Sequence, residues 1–218
     1  MESFGFYVKQ GKYYSLNTYY FIMPHWSTTD YAITGKHEDI SRLHSDFKRV
    51  IAIDRSANQD SSTFYSDASW LGHIVDELLP DVKNTQIDCR GTVSFISDTV
   101  QQLDEALSVV RISTETAWSA CNELFDILGE KYHVNIKFYE EEPGSIIYKT
   151  NDSEGTFFPA RYIMYTEHDR NDYNDFESLK EDFESYTGIK VDTFEDMEDV
   201  ADEYEKDEDL CVYQIEIV

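Results

Sequence analysis

Residues 107–144 read LSVVRISTETAWSACNELFDILGEKYHVNIKFYEEEPG. Apolar residues dominate positions 107–112, which predicts a strand. A hydroxyl at Thr114 or Thr116 is expected to cap the helix that follows, because it accepts hydrogen bonds from free backbone N–H groups of the first turn. One face of that helix then carries Trp118, Cys121, Leu124, Phe125 and Leu128.

A hairpin is predicted directly after this helix. Two segments, 134–140 and 145–150, lie on either side of Pro143-Gly144. In each, apolar side chains are either consecutive or alternate with polar ones. Proline followed by glycine is a strong turn signal, because proline presets its φ angle and glycine tolerates conformations that other residues avoid. A strand, a helix and a hairpin in this order indicate an α+β domain.

Periodic segments extend this interpretation towards both termini. The residue before Pro80 is disfavoured in a helix, so a helix is expected to end there. Thr193 and Asp196 have the spacing of a capping box, which predicts a helix start. The other predicted elements are helices at 37–52, 70–78, 176–183 and 194–204, and strands at 31–34, 86–97, 162–165 and 211–218.

Two of these stretches resemble the YubB family of plasmid- and phage-borne proteins. In that family a strand ends in a Thr-Ala-Trp triplet, and a later strand ends in a Tyr-x-Glu-x-Gly-like turn. Thr116-Ala117-Trp118 and residues 139–144 match this layout, and residues 31–35 with the following helix look like the family's opening strand, glycine and helix. The resemblance implies a ferredoxin-like βαββαβ core and an origin in a mobile genetic element, but it supplies no catalytic residue.

The expected fold is therefore α+β, with a ferredoxin-like core, an added N-terminal aromatic segment and an acidic helical C-terminal region. Residues 1–166 are expected to form the core and its N-terminal extension. Residues 167–218 are expected to form the acidic helical extension, whose final strand packs on the same unit. The aromatic segment, which suits strands or an aromatic cap, carries Tyr7, Tyr13, Tyr14, Tyr19, Tyr20, Phe21 and Trp26.

Composition excludes several classes of protein. The chain has 218 residues, of which 41% are hydrophobic, and its formal net charge is −26. Such a charge argues against direct binding to nucleic acid and against docking on an anionic membrane, because both require cationic groups. Without a visible secretory signal, and with the odd cysteine count of Cys89, Cys121 and Cys211, a cytoplasmic protein with reduced thiols is expected.

Acidic residues are concentrated near the end of the chain. Residues 167–216 hold 20 acidic against four basic residues, a net charge of −16. One interpretation is a solvated face that only aids solubility. The other is a docking surface for a basic protein partner, with a nucleic-acid-binding enzyme as the candidate that the carboxylates would inhibit by imitating nucleic acid. The residues predicted for this surface are Glu195, Asp196, Glu198, Asp199, Asp202, Glu203, Glu205, Asp207, Glu208 and Asp209.

Evidence for catalysis in the sequence is weak. On a strand, Glu140 and Glu142 would share a face and could hold a metal ion, which leaves a metal-assisted hydrolase as an alternative. An exposed rim beside a turn is the favoured interpretation of these two residues. No spacing selects a catalytic residue, a cofactor site or a metal site. We therefore expect a non-enzymatic interaction protein that needs no cofactor, and a structural or assembly protein is the third class that remains open.

Overall fold

The computed structural model describes residues 6–9, 12–15, 25–55, 67–204 and 209–218. Strands β1 (Phe6–Lys9) and β2 (Lys12–Ser15) pair antiparallel with one another. The rest of the aromatic segment up to residue 24 lies outside the described residues, as do residues 56–66 and 205–208.

The described residues form twelve strands and five helices. The ten further strands are β3 (Trp26–Gly35), β4 (Gly91–Ile96), β5 (Gln101–Gln102), β6 (Ser108–Ala117), β7 (Asn135–Glu142), β8 (Ile147–Thr150), β9 (Tyr162–Tyr165), β10 (Arg170–Tyr173), β11 (Cys211–Gln214) and β12 (Glu216–Ile217). The helices are α1 (His37–Ile51), α2 (Leu71–Leu78), α3 (Asn122–Tyr132), α4 (Phe176–Thr187) and α5 (Phe194–Asp202). None of these five helices has the length and apolar content to cross a membrane.

Seven strands build the larger sheet. Its order is β12-β8-β7-β3-β6-β4, and β5 pairs with β6. β3 pairs antiparallel with β6 over ten residues and with β7 on its other side, whereas β12 runs parallel to β8. The sheet is therefore mixed, and the chain is an α+β protein.

One face of the larger sheet is covered by α1, α2 and α3, which bury the first core. At its centre the Tyr31 ring of β3 stacks on the Phe125 ring of α3, with the ring centroids 3.6 Å apart. The Phe47 ring of α1 lies 6.4 Å from the Phe125 ring. Apolar side chains of α1 recur at Ile40, Leu43, Phe47 and Val50, which is the predicted helical face, and all four are buried.

Several sequence predictions are confirmed. α1 and α2 occupy the predicted positions, and α2 ends before Pro80. β7 and β8 form the predicted hairpin, with Pro143 in a short 3₁₀ turn between them. Thr193 and Asp196 form the predicted capping box at the start of α5. Local signals sufficed at these places because the hydrophobic period and the turn residues agree with the tertiary contacts.

The predicted helix cap at Thr114 or Thr116 is wrong. β6 continues to Ala117, and both threonines are buried opposite Thr29 and Ser27 of β3. The side chains at 112, 114 and 116 alternate with exposed or half-buried ones, which is the period of a strand. Threonine is β-branched and fits this pleated surface better than its capping hydroxyl suggests.

Trp118 is also not in the first turn of the helix. It lies between β6 and α3, with a left-handed backbone (φ 68°), and α3 begins four residues later. Trp118 is 43% exposed, and the Arg90 guanidinium lies 4.8 Å from its ring centroid. Trp118, expected on one face of that helix, therefore lies at a bend in the chain instead.

A second sheet, with the order β10-β9-β11, carries the C-terminal helices. Its core contains Met164, Leu179, Phe183, Met197 and Val212. After Ile215 the chain crosses to the larger sheet, where β12 pairs with β8. The division expected at residues 166 and 167 stays a prediction; β9, which ends at Tyr165, pairs with the two strands that follow it.

Candidate interaction surface

The acidic C-terminal helices are ordered by specific caps. The Asp175 side chain accepts a hydrogen bond from the Ser178 amide (2.9 Å) at the start of α4, which ends at Gly188 in a left-handed conformation (φ 75°). At α5, the Thr193 hydroxyl accepts from the Asp196 amide (3.1 Å), and the Asp196 carboxylate accepts from the Thr193 amide (3.0 Å). Hydrogen bonds from Thr193 lower the pKa of Asp196. The Asp196 carboxylate therefore stabilises the first turn of α5.

One side of α5 presents a row of carboxylates. Met197 and Ala201 face the second core, whereas Glu195, Glu198, Asp199 and Asp202 are exposed. These four residues follow the spacing i, i+3, i+4 and i+7, which places them on one face of a helix. We call this row the α5 stripe. The second core holds the helix that carries it, so these charges belong to an ordered element.

The remaining residues of the predicted surface are distributed differently. Asp196 caps α5, and Glu203 follows the last residue of that helix. Asp209 is exposed just before β11. Glu205, Asp207 and Glu208 lie outside the described residues. Whether the predicted set acts as one surface stays a prediction.

The α5 stripe differs from other acidic side chains of the C-terminal region in its ion pairing. Lys190 pairs with Glu184, and its hydrogen bond lowers the pKa of Glu184. Arg170 pairs with Asp172 through Nε (3.0 Å). Within residues 67–204 and 209–218, none of the ion pairs involves a carboxylate of the stripe. The stripe therefore presents its charge to solvent.

Arg170 of β10 connects the acidic C-terminal region to the larger sheet. Its Nη1 atom lies 2.8 Å from Glu141 Oε2, and its Nη2 atom donates to the Tyr139 hydroxyl (3.2 Å). Tyr148 of β8 also stacks on Tyr213 of β11, with the ring centroids 5.1 Å apart. These contacts fix the second sheet against β7 and β8.

The interpretation of Glu140 and Glu142 as an exposed rim is wrong. Glu140 and Glu142 are only 4% and 2% exposed. Glu140 Oε1 accepts from Ser27 Oγ (3.2 Å) and from the Ala120 amide (2.7 Å), whereas Glu142 Oε1 accepts from the Gly144 amide (2.9 Å). The sequence could not reveal this, because two of the donors come from distant segments of the chain.

Electrostatics around Glu142 favour its charged form. Burial raises its pKa, but hydrogen bonds from the Ser145 hydroxyl and from the amides of Ser145 and Gly144 outweigh burial, so the pKa of Glu142 is lowered. His25 Nδ1 lies 3.4 Å from Glu142 Oε1 and 3.5 Å from Ser145 Oγ. A nucleophile, base and carboxylate relay needs one ring nitrogen for each partner. Both contacts use Nδ1, so this trio is not such a relay.

Metal and thiol chemistry find little support. Among the described residues, no group of three histidine, cysteine, aspartate or glutamate side chains could hold a metal ion. All three cysteines are free, and Cys89 and Cys121 are buried. Burial raises the pKa of Cys89 to about 11 and that of Cys121 to about 12, which keeps both thiols protonated at neutral pH.

Two grooves flank the crossover at Ile215. The larger one, about 680 Å³, is lined by Arg161, Asp175 and Phe176 together with residues 214–217. Arg161 does not offer it a free cation, because Nη1 donates to the Phe158 and Ala160 carbonyls and Nη2 donates to those of Asp152 and Ser153. The smaller one, about 350 Å³, includes Glu198 of the α5 stripe in its lining. No sequence signal marks either groove, since each is assembled from separate segments.

In comparisons with known proteins, no family model, curated protein or solved structure matches this chain.

Proposed function

We propose that the protein is a non-enzymatic acidic docking protein whose α5 stripe binds a basic partner that normally binds nucleic acid. The observation that carries the proposal is the row of Glu195, Glu198, Asp199 and Asp202, which is exposed, without ion pairs among the described residues, and held on an ordered helix. Solubility alone does not require such order, because a flexible acidic segment would serve it equally well.

The spacing of the charges supports imitation of nucleic acid. Seven residues of α-helix rise about 10 Å, so the four carboxylates follow one another at rises of about 4.5, 1.5 and 4.5 Å, which average about 3.5 Å along the helix axis. Phosphates follow one another at about 3.4 Å along one strand of a DNA duplex. A basic groove that tracks a phosphate row would therefore meet a comparable charge density here.

A ferredoxin-like core and kinship with YubB proteins are part of the same proposal. The antiparallel strand order β7-β3-β6-β4, with α1 following β3 and α3 following β6, supports a βαββαβ arrangement. Thr116-Ala117-Trp118 and the turn at Pro143-Gly144 support the kinship. The kinship supports an origin in a mobile element, where an inhibitor of a host nucleic-acid-binding enzyme would be useful.

The test neutralises the stripe and competes with DNA. The variant Glu195→Gln, Glu198→Gln, Asp199→Asn, Asp202→Asn is compared with a control that removes the same charge from exposed residues of the larger-sheet region. The control carries Glu105→Gln, Glu123→Gln, Asp126→Asn and Glu130→Gln. Each immobilised protein is incubated with bacterial proteins that were purified by binding to duplex DNA.

Wild type and control are expected to retain a basic protein that free duplex DNA displaces, and raising the salt concentration should release it. The stripe variant is expected to retain none. Equal retention by the stripe variant, or capture that ignores both DNA and salt, would exclude the proposal.

A further inference from the structure

The smaller groove lies where three parts of the chain meet: the tip of the β7–β8 hairpin, the first turns of α5, and β11. Its lining includes Ile146, Lys149, Phe194, Glu198 and Tyr213. The volume, about 350 Å³, is at the lower end of the range for small-ligand pockets. Its apolar and aromatic side chains border the α5 stripe directly, because Glu198 belongs to both.

The apolar wall of the groove is held in place before any partner binds. Tyr213 stacks on Tyr148, and the Phe194 ring centroid lies 5.4 Å from that of Tyr162. Ile146 is 62% exposed and has a left-handed backbone (φ 54°). A β-branched residue is strained in that conformation, and its apolar side chain is exposed at the hairpin tip.

Charge determines which occupant fits. The cation in the lining, Lys149, pairs with Glu216 (3.2 Å), so these two charges offset one another. Glu198 then gives the groove a net negative charge next to its aromatic wall. An arginine side chain matches this combination, because its stem packs on apolar surface while its planar guanidinium pairs with a carboxylate and stacks on aromatic rings. Lysine is more strongly hydrated and fits such a wall less well.

We infer that this groove receives an arginine side chain of the basic partner and so anchors that partner at one end of the α5 stripe. The inference rests on the proposed function and adds the position and the chemistry of the anchor. Glu198 pairs with the guanidinium, and Ile146 and Tyr213 contact the stem. The rest of the stripe then contributes long-range attraction that does not distinguish arginine from lysine.

Hexa-arginine and hexa-lysine peptides are suitable probes, titrated into the ¹⁵N-labelled full-length protein at low salt. Glu198→Gln is compared with Glu195→Gln, which removes the same charge one turn away and outside the groove lining. Ile146→Gly removes the apolar contact and suits the left-handed backbone, so the fold is retained. Unchanged amide spectra away from the substitution verify this.

Hexa-arginine is expected to shift the amide signals of residues 146–149 and 213–214 as well as those of α5. Glu198→Gln should weaken hexa-arginine binding by about fivefold, and Glu195→Gln by about twofold. Ile146→Gly should remove most of the preference for hexa-arginine over hexa-lysine.

Two results would overturn the inference, and they differ in what they leave standing. Shifts confined to α5, with equal effects of the two glutamine variants, would eliminate the groove as anchor and leave the docking surface intact. Absence of any shift in α5 with either peptide would remove the docking surface and the anchor together.

Discussion

The first 166 residues, which hold six of the seven strands of the larger sheet, and the acidic residues 167–218 use charge in different ways. Residues 1–166 have a net charge of −10, and residues 167–218 have −16 in less than a third of that length. On α1 of the first region, acids and bases pair across single turns, as Arg42 does with Asp39 at 3.0 Å. On α5 of the second region, four carboxylates share one face without a paired base among the described residues.

This difference shows that the acidic region is held together in spite of its charge. Repulsion between like charges on neighbouring turns destabilises a helix. Buried Phe183 and Met197, the capping box at Thr193 and the Arg170 contacts oppose that repulsion. Each of these can be removed separately, which gives predictions of decreasing size.

The largest effect is expected from Phe183→Ala. Phe183 is fully buried in the second core, so truncation removes apolar contacts and leaves a cavity, at a cost of about 3–5 kcal/mol. Amide hydrogen exchange should show that α4 and α5 lose protection while α1 and α3 keep theirs. Ile189→Ala, at a position that is 41% exposed, is the control and should cost much less. Equal loss of protection in both regions would mean that the two cores unfold as one.

Arg170→Ala should have the next largest effect. The guanidinium donates to Glu141, Asp172 and the Tyr139 hydroxyl. It adds a charged contact between two regions that also meet through the β12–β8 pairing and the Tyr148–Tyr213 stack. Loss of these charge-assisted hydrogen bonds should cost about 1–3 kcal/mol in urea unfolding.

Arg42→Ala is the matched control for Arg170→Ala, because its ion pair with Asp39 lies within one exposed helix and should cost less than about 1 kcal/mol. A similar loss of stability in both variants would contradict a stabilising role of the Arg170 contacts between the two regions.

The sequence predicted elements well where a local period and tertiary contacts agree. α1 and α5 follow from apolar residues at helical spacing, and the hairpin follows from Pro143-Gly144. The end of β6 was missed because threonine serves both as a helix cap and as a strand residue. The segment is a strand because it pairs with β3, more than eighty residues away in sequence, and local sequence patterns do not predict that pairing.

Of the candidate site, the sequence predicted only the acidic residues. The four acids of the α5 stripe are among the ten residues predicted, and nothing in that prediction separates them from the other six. The groove was not predicted, because Ile146, Glu198 and Tyr213 come from three distant segments. Burial of Glu140 was missed for the same reason: its donors, Ser27 and the Ala120 amide, are far from it in sequence.

Thr193→Ala should have a smaller effect than Arg170→Ala. The threonine hydroxyl satisfies the Asp196 amide in the first turn of α5, and loss of such a cap costs about 1 kcal/mol. Ser185→Ala, at an exposed position in α4, is the control and should be neutral or slightly stabilising, because alanine favours helix. Thermal unfolding followed by circular dichroism measures the stability of both variants. If Thr193→Ala leaves the stability unchanged, the second core alone orders α5.

The smallest expected effect is the change in stability when one aspartate is neutralised, and it has opposite signs on α5 and on α1. Asp199→Asn relieves repulsion from Glu195 and Asp202 on the same face of α5, so it should stabilise the protein by about 0.2–0.5 kcal/mol at low salt. Asp39→Asn in the first turn of α1 removes a pair with Arg42 and a favourable charge near the helix N-terminus, so it should destabilise by a similar amount. Both effects should shrink in 0.5 M salt, where charges about 4 Å apart or more are largely screened. If Asp199→Asn destabilises the protein instead, the Asp199 carboxylate makes a stabilising contact. The contrast between paired charges on α1 and unpaired charges on α5 would then be wrong.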